Sequence, residues 1–161
     1  MSGKTNATAA STLNKNDLIF ITGAGGFIGG AFARYFHDQG FKRIRAIDRK
    51  PLPEWYQRVP DVGCLCMYLR KHDNCVRASE DAIEVYNIAA DMSGMGFVGR
   101  FRVECLRSIF INKHMIEAVY GAGAKRYFYS SSACAYNVEL QKGPNSRALK
   151  ESDAYPASKT W

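Results

Sequence analysis

The chain of 161 residues is 47% hydrophobic and 23% charged, a composition typical of one soluble globular domain. It contains no run of about 18 apolar residues, so we expect no membrane span and no membrane partner. The net charge is +7, but the basic residues form isolated pairs rather than one stripe. This pattern favours a solvated surface and predicts no nucleic-acid partner.

The N-terminal segment and the cysteines indicate the compartment. Residues 1–17 are polar and have no apolar signal core, so we expect a disordered leader, with one domain over residues 18–161. Five cysteines without a secretory signal favour free thiols and a cytoplasmic protein. Cys64 and Cys66 alternate within an apolar stretch, which favours core packing, and the absence of zinc-ligand spacing predicts no metal.

Strand and helix patterns alternate along the chain. Short apolar runs predict five strands, at residues 18–22, 43–47, 64–69, 84–90 and 126–131. Other segments predict helices at residues 27–39, 74–81 and 103–120, and a polar loop at residues 136–161. This order implies right-handed crossovers and a Rossmann-type α/β fold, a doubly wound parallel sheet that is incomplete at about five strands.

Glycines stand between the first predicted strand and the first predicted helix. Gly23, Gly26 and Gly29 occupy places where a backbone turns tightly and approaches a pyrophosphate closely. The helix that follows would offer free N–H groups and the positive end of its dipole to the phosphates. Glycines also serve simple turns, but a strand before and a helix after are the context that dinucleotide binding demands.

Asp48 ends the second predicted strand, 19 residues after Gly29. A carboxylate there would accept hydrogen bonds from the adenosine ribose hydroxyls and repel a 2′-phosphate, which predicts NAD rather than NADP as the cofactor. The neighbouring Arg49 slightly opposes that preference. The alternative is an exposed acid at a strand end that contacts no ligand.

A serine- and cysteine-rich segment, residues 130–134, lies at the end of the fifth predicted strand. Ligands of parallel α/β sheets lie beyond the carboxyl ends of the strands, so its side chains would face the nicotinamide. A serine hydroxyl there can hydrogen-bond a sugar oxygen, and Cys134 can exchange a proton if its pKa is lowered toward neutrality. Taken alone, the residues favour a buried structural cysteine over a catalytic one.

Three further segments carry a resemblance to a known family. They are residues 87–97 (NIAADMSGMGF), 129–136 (YSSSACAY) and 149–157 (LKESDAYPA). Together with the glycine turn they resemble the extended short-chain dehydrogenase/reductases, and within these the GDP-mannose 3,5-epimerases. The similarity runs from about residue 18 to the end of the chain and covers the first half or less of a family member.

The resemblance implies an NAD-dependent epimerase of a sugar nucleotide such as GDP-mannose, with a homodimer in the full-length family. In such an enzyme NAD transiently oxidises C4, which acidifies the C3 and C5 protons, and a cysteine and a lysine exchange those protons. Cys134 matches that cysteine, and Ser132 matches the serine of the family's Ser-Tyr-Lys set. The matching cofactor-binding residues are Gly23, Gly26, Phe27, Ile28, Gly29, Asp48 and Ala89. The matching substrate-binding residues are Ser93, Gly94, Met95, Ser132, Ala133 and Cys134.

The chain departs from the family pattern at several positions. Ser93 stands where the family usually has glycine, and Tyr68 where it has an aspartate that contacts the adenine end of the cofactor. The family's Tyr-x-x-x-Lys motif falls beyond Trp161. Tyr155 and Lys159 have the same spacing, but they are predicted not to be the catalytic pair because too few residues follow to form a stable helix. We therefore expect a truncated NAD-binding portion that lacks the substrate domain and is inactive alone. The alternative is a non-catalytic NAD-binding or interaction module.

Overall fold

The computed structural model describes residues 13–90, 102–131 and 136–154. The chain divides into two compact units, Met1–Tyr129 and Ser130–Trp161, and each is described by itself. No helix in the described ranges is long and apolar enough to cross a membrane.

The first unit alternates strands and helices. Its strands are β1 (Leu18–Thr22), β2 (Arg43–Asp48), β3 (Gly63–Cys66), β4 (Ala82–Asn87) and β5 (Arg126–Tyr129). Its helices are α1 (Phe27–Asp38), α2 (His72–Ser79) and α3 (Arg102–Gly121).

The five strands form one parallel sheet in the order β3-β2-β1-β4-β5. β1 lies between β2 and β4, and Ile19 pairs with both Ile44 and Glu84. Along the chain, β2 and β3 extend the sheet from one edge of β1, and β4 and β5 then extend it from the other edge. The predicted Rossmann-type parallel sheet is therefore confirmed, and its switch point lies between β1 and β4.

β1 is buried along its whole length because the two faces of the sheet carry separate cores. Leu18 and Phe20 pack on one face with a cluster that includes Met115 of α3. Ile19 and Ile21, which alternate with them, pack on the other face with a cluster that includes residues of α1. A strand that is apolar on both faces reads as a continuous apolar run, which is what residues 18–22 show.

The predicted bounds agree with the structure for β1 and are wrong at the end of β3. The predicted strand 64–69 stops at Cys66, because the next residues turn toward α2. Lys71 N donates to Tyr68 O in that turn, and α2 begins at His72, two residues before the predicted start. β4 and β5 also end earlier than predicted, at Asn87 and Tyr129.

The predicted leader, residues 1–17, is described only from residue 13 onward. Residues 13–17 contain a turn in which Asn14 N donates to Asp17 Oδ2 at 2.9 Å. Lys42 N, just before β2, donates to Lys15 O at 2.9 Å. The last residues of the segment are thus hydrogen-bonded to the sheet unit.

The second unit contains two short 3₁₀ turns, Val138–Gln141 and Glu151–Asp153, where the sequence predicts only loop. Arg147 donates to both carboxylate oxygens of Asp153, at 2.7 and 2.8 Å. Lys150 N also donates to Asp153 Oδ2, at 2.7 Å. These hydrogen bonds from Arg147 and the Lys150 backbone lower the pKa of Asp153 to about 2.

Candidate cofactor site

A cleft of about 540 Å³ lies at the carboxyl ends of the strands, around the switch point of the sheet. Its walls come from the segments that follow β1, β2, β3 and β4, with one residue from α3. The lining residues are Gly23, Gly26, Phe27, Ile28, Gly29, Asp48, Arg49, Lys50, Met67, Tyr68, Leu69, Arg70, Ile88, Ala89, Ala90 and Ile111. This is the place where open α/β sheets bind ligands.

Two glycines of the turn after β1 allow contacts that no side chain would permit. Gly23 has φ +68°, and a Cβ on it would lie 2.9 Å from Ala89 N. A Cβ on Gly29, in the first turn of α1, would lie 2.3 Å from Gly23 O. The missing side chains let the turn, the end of β4 and the helix approach one another closely.

The amino terminus of α1 opens into this cleft. Gly26 is its N-cap and provides no side chain to accept from the first-turn N–H groups. Those groups also have no acceptor within the helix. Phe27 and Ile28 begin the helix, are exposed, and line the cleft. Free N–H groups and the helix dipole make this terminus suitable for an anion such as a pyrophosphate.

Asp48 is held in one position by backbone donors on two sides. Gly25 N donates to its Oδ2 and Lys50 N to its Oδ1, each at 3.0 Å. The segment after it is held as well, because Trp55 Nε1 donates to Lys50 O at 2.9 Å. A carboxylate oxygen can accept more than one hydrogen bond, so both oxygens keep capacity for hydroxyl donors.

A buried hydroxyl joins the ends of β1 and β4 beneath the cleft. Thr22 Oγ1 donates to Asn87 Oδ1 at 2.7 Å and accepts from the backbone N–H groups of Ile88 and Ala89, at 3.1 and 3.0 Å. Because Ile88 and Ala89 line the cleft, Thr22 sets the position of its β4 wall.

The same network extends to β5 and α3 through the Asn87 amide. Its Nδ2 donates to Tyr127 OH at 2.8 Å and to Asn112 Oδ1 at 3.0 Å. Asn112 Nδ2 then donates to Tyr129 OH at 3.0 Å. Burial raises the pKa of Tyr127 to about 12. Sequence patterns do not reveal this network, because its members are distant in the chain and belong to common residue types.

The wall after β3 carries an aromatic ring and a cation. The guanidinium carbon of Arg70 lies 4.4 Å from the centroid of the Tyr68 ring, within the range of a cation–π contact. Among the described lining residues, three are cationic (Arg49, Lys50 and Arg70) and Asp48 is the one carboxylate. The positive balance suits a ligand that carries phosphates.

The sequence-predicted site residues divide into two groups. The predicted cofactor-binding residues all line the one cleft, and they are Gly23, Gly26, Phe27, Ile28, Gly29, Asp48 and Ala89. The predicted substrate and catalytic residues lie outside the described ranges, and they are Ser93, Gly94, Met95, Ser132, Ala133 and Cys134. The Tyr155 and Lys159 pair also lies outside them. The roles of all these residues, including the seven that line the cleft, stay predictions.

The fold and the cleft together define a dinucleotide-binding α/β protein of the Rossmann type. The model of the NAD dependent epimerase/dehydratase family matches residues 19–161, and the chain belongs to this family. The family's cofactor is NAD, and the glycine turn, the α1 terminus and Asp48 fit such a group.

Curated relatives include GDP-mannose 3,5-epimerase 1 of Oryza sativa subsp. indica, 38% identical over 146 residues. That match covers 86% of this chain and 36% of the relative, so the chain spans just over a third of the relative's length. GDP-mannose 3,5-epimerase of Arabidopsis thaliana is 38% identical over 151 residues, covering 89% of this chain and 38% of the relative. Among solved structures, MoeE5 in complex with UDP-glucose and NAD has a TM-score of 0.64 at 26% identity. That match covers 74% of this chain and 38% of the other.

Proposed function

We propose that this chain binds NAD across the ends of β1, β2 and β4, with the pyrophosphate at the amino terminus of α1. The observation that carries the proposal is the geometry of the glycine turn beside Asp48. The turn exposes helix N–H groups for the phosphates, and Asp48 stands at the end of the neighbouring strand with its carboxylate held by Gly25 and Lys50.

Asp48 is proposed to hold the adenosine ribose and to select NAD over NADP. Its oxygens would accept from the two ribose hydroxyls while they keep their backbone donors. A 2′-phosphate would bring a second negative charge against this carboxylate, and Arg49 and Lys50 would offset only part of that repulsion.

Calorimetric titration with NAD and NADP tests this assignment. We expect the wild-type chain to bind NAD about tenfold or more tightly than NADP, and Asp48→Asn to lose roughly tenfold in NAD affinity and most of the preference. Asp61→Asn is the matched control, because Asp61 is exposed, lies outside the cleft, and has a φ of 62° that Asn tolerates. Equal affinities of the wild type for NAD and NADP would refute the role of Asp48.

The wider activity proposed is that of a nucleotide-sugar epimerase resembling GDP-mannose 3,5-epimerase. The 38% identity to enzymes with that name supports it. NAD when bound would supply the hydride acceptor for C4 of the sugar. Cys134 would then exchange a proton on the sugar, with Ser132 and Ala133 against it and Ser93, Gly94 and Met95 in the substrate loop.

Deuterium incorporation from solvent at C3 and C5 of GDP-mannose, with NAD present, tests the epimerase proposal. Incorporation that disappears in Cys134→Ala would support it.

The second candidate is a non-catalytic NAD-binding module, favoured by the fact that described residues of the first unit line the cofactor cleft. Tight NAD binding with no incorporation would favour this second function.

The proposed setting is a cytoplasmic homodimer. Cys64, Cys66 and Cys75 are free thiols, as a reducing compartment requires. The exposed large apolar side chains of α3 include Ile109, Ile116 and Tyr120. Their spacing of seven and four residues places them on one helix face, which would suit a second copy. Sedimentation velocity of the wild type and Ile116→Glu tests the dimer, and a wild-type monomer at all concentrations would exclude it.

A further inference from the structure

The segment that follows β2 folds into a short turn that leads to a buried tryptophan. Pro51 precedes the 3₁₀ turn Leu52–Glu54, which contains Pro53, and the fixed φ of both prolines favours such a turn. Trp55 follows directly, and its N–H donates to Leu52 O at 3.3 Å. The Trp55 side chain is buried in the core cluster that includes residues of α1. The turn thus places an indole between the end of β2 and the first helix.

The Trp55 indole contacts both backbone segments that hold the Asp48 carboxylate. Its Nε1 donates to Lys50 O at 2.9 Å, and Lys50 N donates to Asp48 Oδ1 at 3.0 Å. Its Cδ1 lies so close to Gly25 that a Cβ on this glycine would be 2.9 Å from it. Gly25 N donates to the other carboxylate oxygen, Asp48 Oδ2, at 3.0 Å. One side chain therefore supports both of the donors that set the orientation of the carboxylate.

The contact with the glycine turn continues at the next residue. Tyr56 N donates to Gly25 O at 3.0 Å, so both backbone polar groups of Gly25 are paired. The Tyr56 ring meets the Phe27 ring edge-on, with their centroids 5.1 Å apart, and Phe27 begins α1 and lines the cleft. Trp55 itself is not among the described residues that line the cleft. It would therefore act on a ligand through Asp48 and the turn.

We propose that Trp55 is a positioning residue of the cofactor site, which aims the Asp48 carboxylate at the hydroxyls of the adenosine ribose. The inference rests on the proposed NAD binding and deepens it. A carboxylate that is held in place before the ligand arrives loses less conformational freedom on binding than one that must first be ordered. Without the indole, Lys50 O would lose this donor, and the space beside Gly25 would let the turn and the carboxylate move.

The test compares NAD with 2′-deoxy-NAD, which lacks the 2′-hydroxyl of the adenosine ribose. The dissociation constant of each is measured by calorimetry on the wild type, Trp55→Phe, Asp48→Asn and the double variant. The wild type is expected to bind NAD about tenfold more tightly than the deoxy form. Trp55→Phe keeps a ring in the core but has no donor for Lys50 O, so NAD affinity should fall about three- to tenfold and the NAD preference should shrink to about threefold or less. In the Asp48→Asn background, Trp55→Phe should change NAD affinity by less than about twofold, because the carboxylate that it positions is already gone.

Val59→Ala is the matched control, because Val59 is buried in the same core cluster and is not among the described residues that line the cleft. It should lower stability in urea denaturation but leave the preference for NAD over 2′-deoxy-NAD unchanged. Equal weakening of the two dinucleotides by Trp55→Phe, or additive losses in the double variant, would overturn the positioning role while leaving NAD binding intact. Failure of the wild type to bind either dinucleotide would overturn the proposed function itself.

Discussion

At the residue scale, Thr22 is the side chain on which the β4 wall of the cleft depends. Its hydroxyl is fully buried and makes three hydrogen bonds, one to Asn87 and two to the backbone of Ile88 and Ala89. No solvent can replace these partners. The hydroxyl therefore contributes to stability and to the geometry of the cofactor site at once.

Replacing this hydroxyl by a methyl group of similar shape should be strongly destabilising. In Thr22→Val the two N–H groups and the Asn87 oxygen lose their shared partner, so we expect the free energy of unfolding to fall by about 2–4 kcal/mol. Thr22→Ser keeps the hydroxyl and loses one methyl, so it should cost only about 1 kcal/mol. Urea denaturation measures both. A smaller loss in Thr22→Val than in Thr22→Ser would show that the methyl, not the hydroxyl, matters.

Asp48 and Thr22 differ in how far the sequence reveals them. The position of Asp48 follows from local order, a strand that ends a fixed distance after a glycine turn, and the structure places it in the cleft. The partner of Thr22 is Asn87, 65 residues later, and only the pairing of β1 with β4 brings them together. The sequence shows Tyr68 only as a departure from the family motif. Its contact with Arg70 depends on a turn, and the sequence predicts a strand there instead.

At the element scale, Arg45 of β2 caps the carboxyl end of α2. Arg45 Nη1 donates to Ala78 O at 2.6 Å and to Glu80 O at 2.7 Å, at the carboxyl end of the helix. A cation there satisfies carbonyl groups that have no partner within the helix and complements the helix dipole.

Removing the Arg45 guanidinium should therefore loosen α2 against the sheet. Arg45→Met keeps most of the apolar stem and is expected to lower the free energy of unfolding by about 1–3 kcal/mol. Arg43→Met is the matched control on the same strand, because among the described residues Arg43 makes only an exposed ion pair, with Asp81 at 3.6 Å. That control should change stability by less than about 0.5 kcal/mol. Thermal denaturation of the two variants compares them, and equal shifts would contradict the capping role.

The end of a helix or strand can be predicted where the sequence carries a residue that terminates it. Gly40, with φ +80°, follows α1 and stops it near the predicted residue. The end of β3 carries no such signal, since Met67 and Leu69 are as apolar as the strand before them. Packing across the sheet is also hidden from the sequence: Phe32, Tyr86 and Phe128 come from α1, β4 and β5, and their ring centroids lie 5.0–6.2 Å apart.

At the scale of the whole sheet unit, the alternation of strands and helices was enough to predict a parallel sheet with a ligand at its carboxyl edge. Right-handed crossovers leave few other arrangements for such an order. The sequence did not predict which ionisable groups the two cores would bury. That depends on which side of each strand and helix faces inward. The weak acids buried in part or in full include Cys64, Cys75, Tyr86 and Tyr127.

These acids make stability depend on alkaline pH. Burial raises the pKa of Cys75 from 9.0 to about 11 and the pKa of Tyr127 from 10.0 to about 12. Burial, together with the hydrogen bond that Tyr86 donates to Glu84, also raises the pKa of Tyr86. Each group therefore holds its proton longer in the folded state than in the unfolded state. The resulting stability is present below the unfolded pKa and is lost as pH rises toward the folded pKa.

The free energy of unfolding should accordingly begin to fall near pH 9, where the unfolded Cys75 thiol ionises, and should steepen above pH 10 as the tyrosines contribute. Each group adds at most about 1.4 kcal/mol per pH unit to the slope. Burial also raises the pKa of Cys64. In the double variant with Cys64→Ala and Cys75→Ala the decline should therefore start about one pH unit later, near pH 10, whereas Cys66→Ala, which removes an exposed thiol, should leave the profile unchanged. Urea denaturation from pH 7.5 to 11, with each variant normalised to its own value at pH 7.5, measures the onset. A decline that still begins near pH 9 in the double variant would show that another group carries the first step.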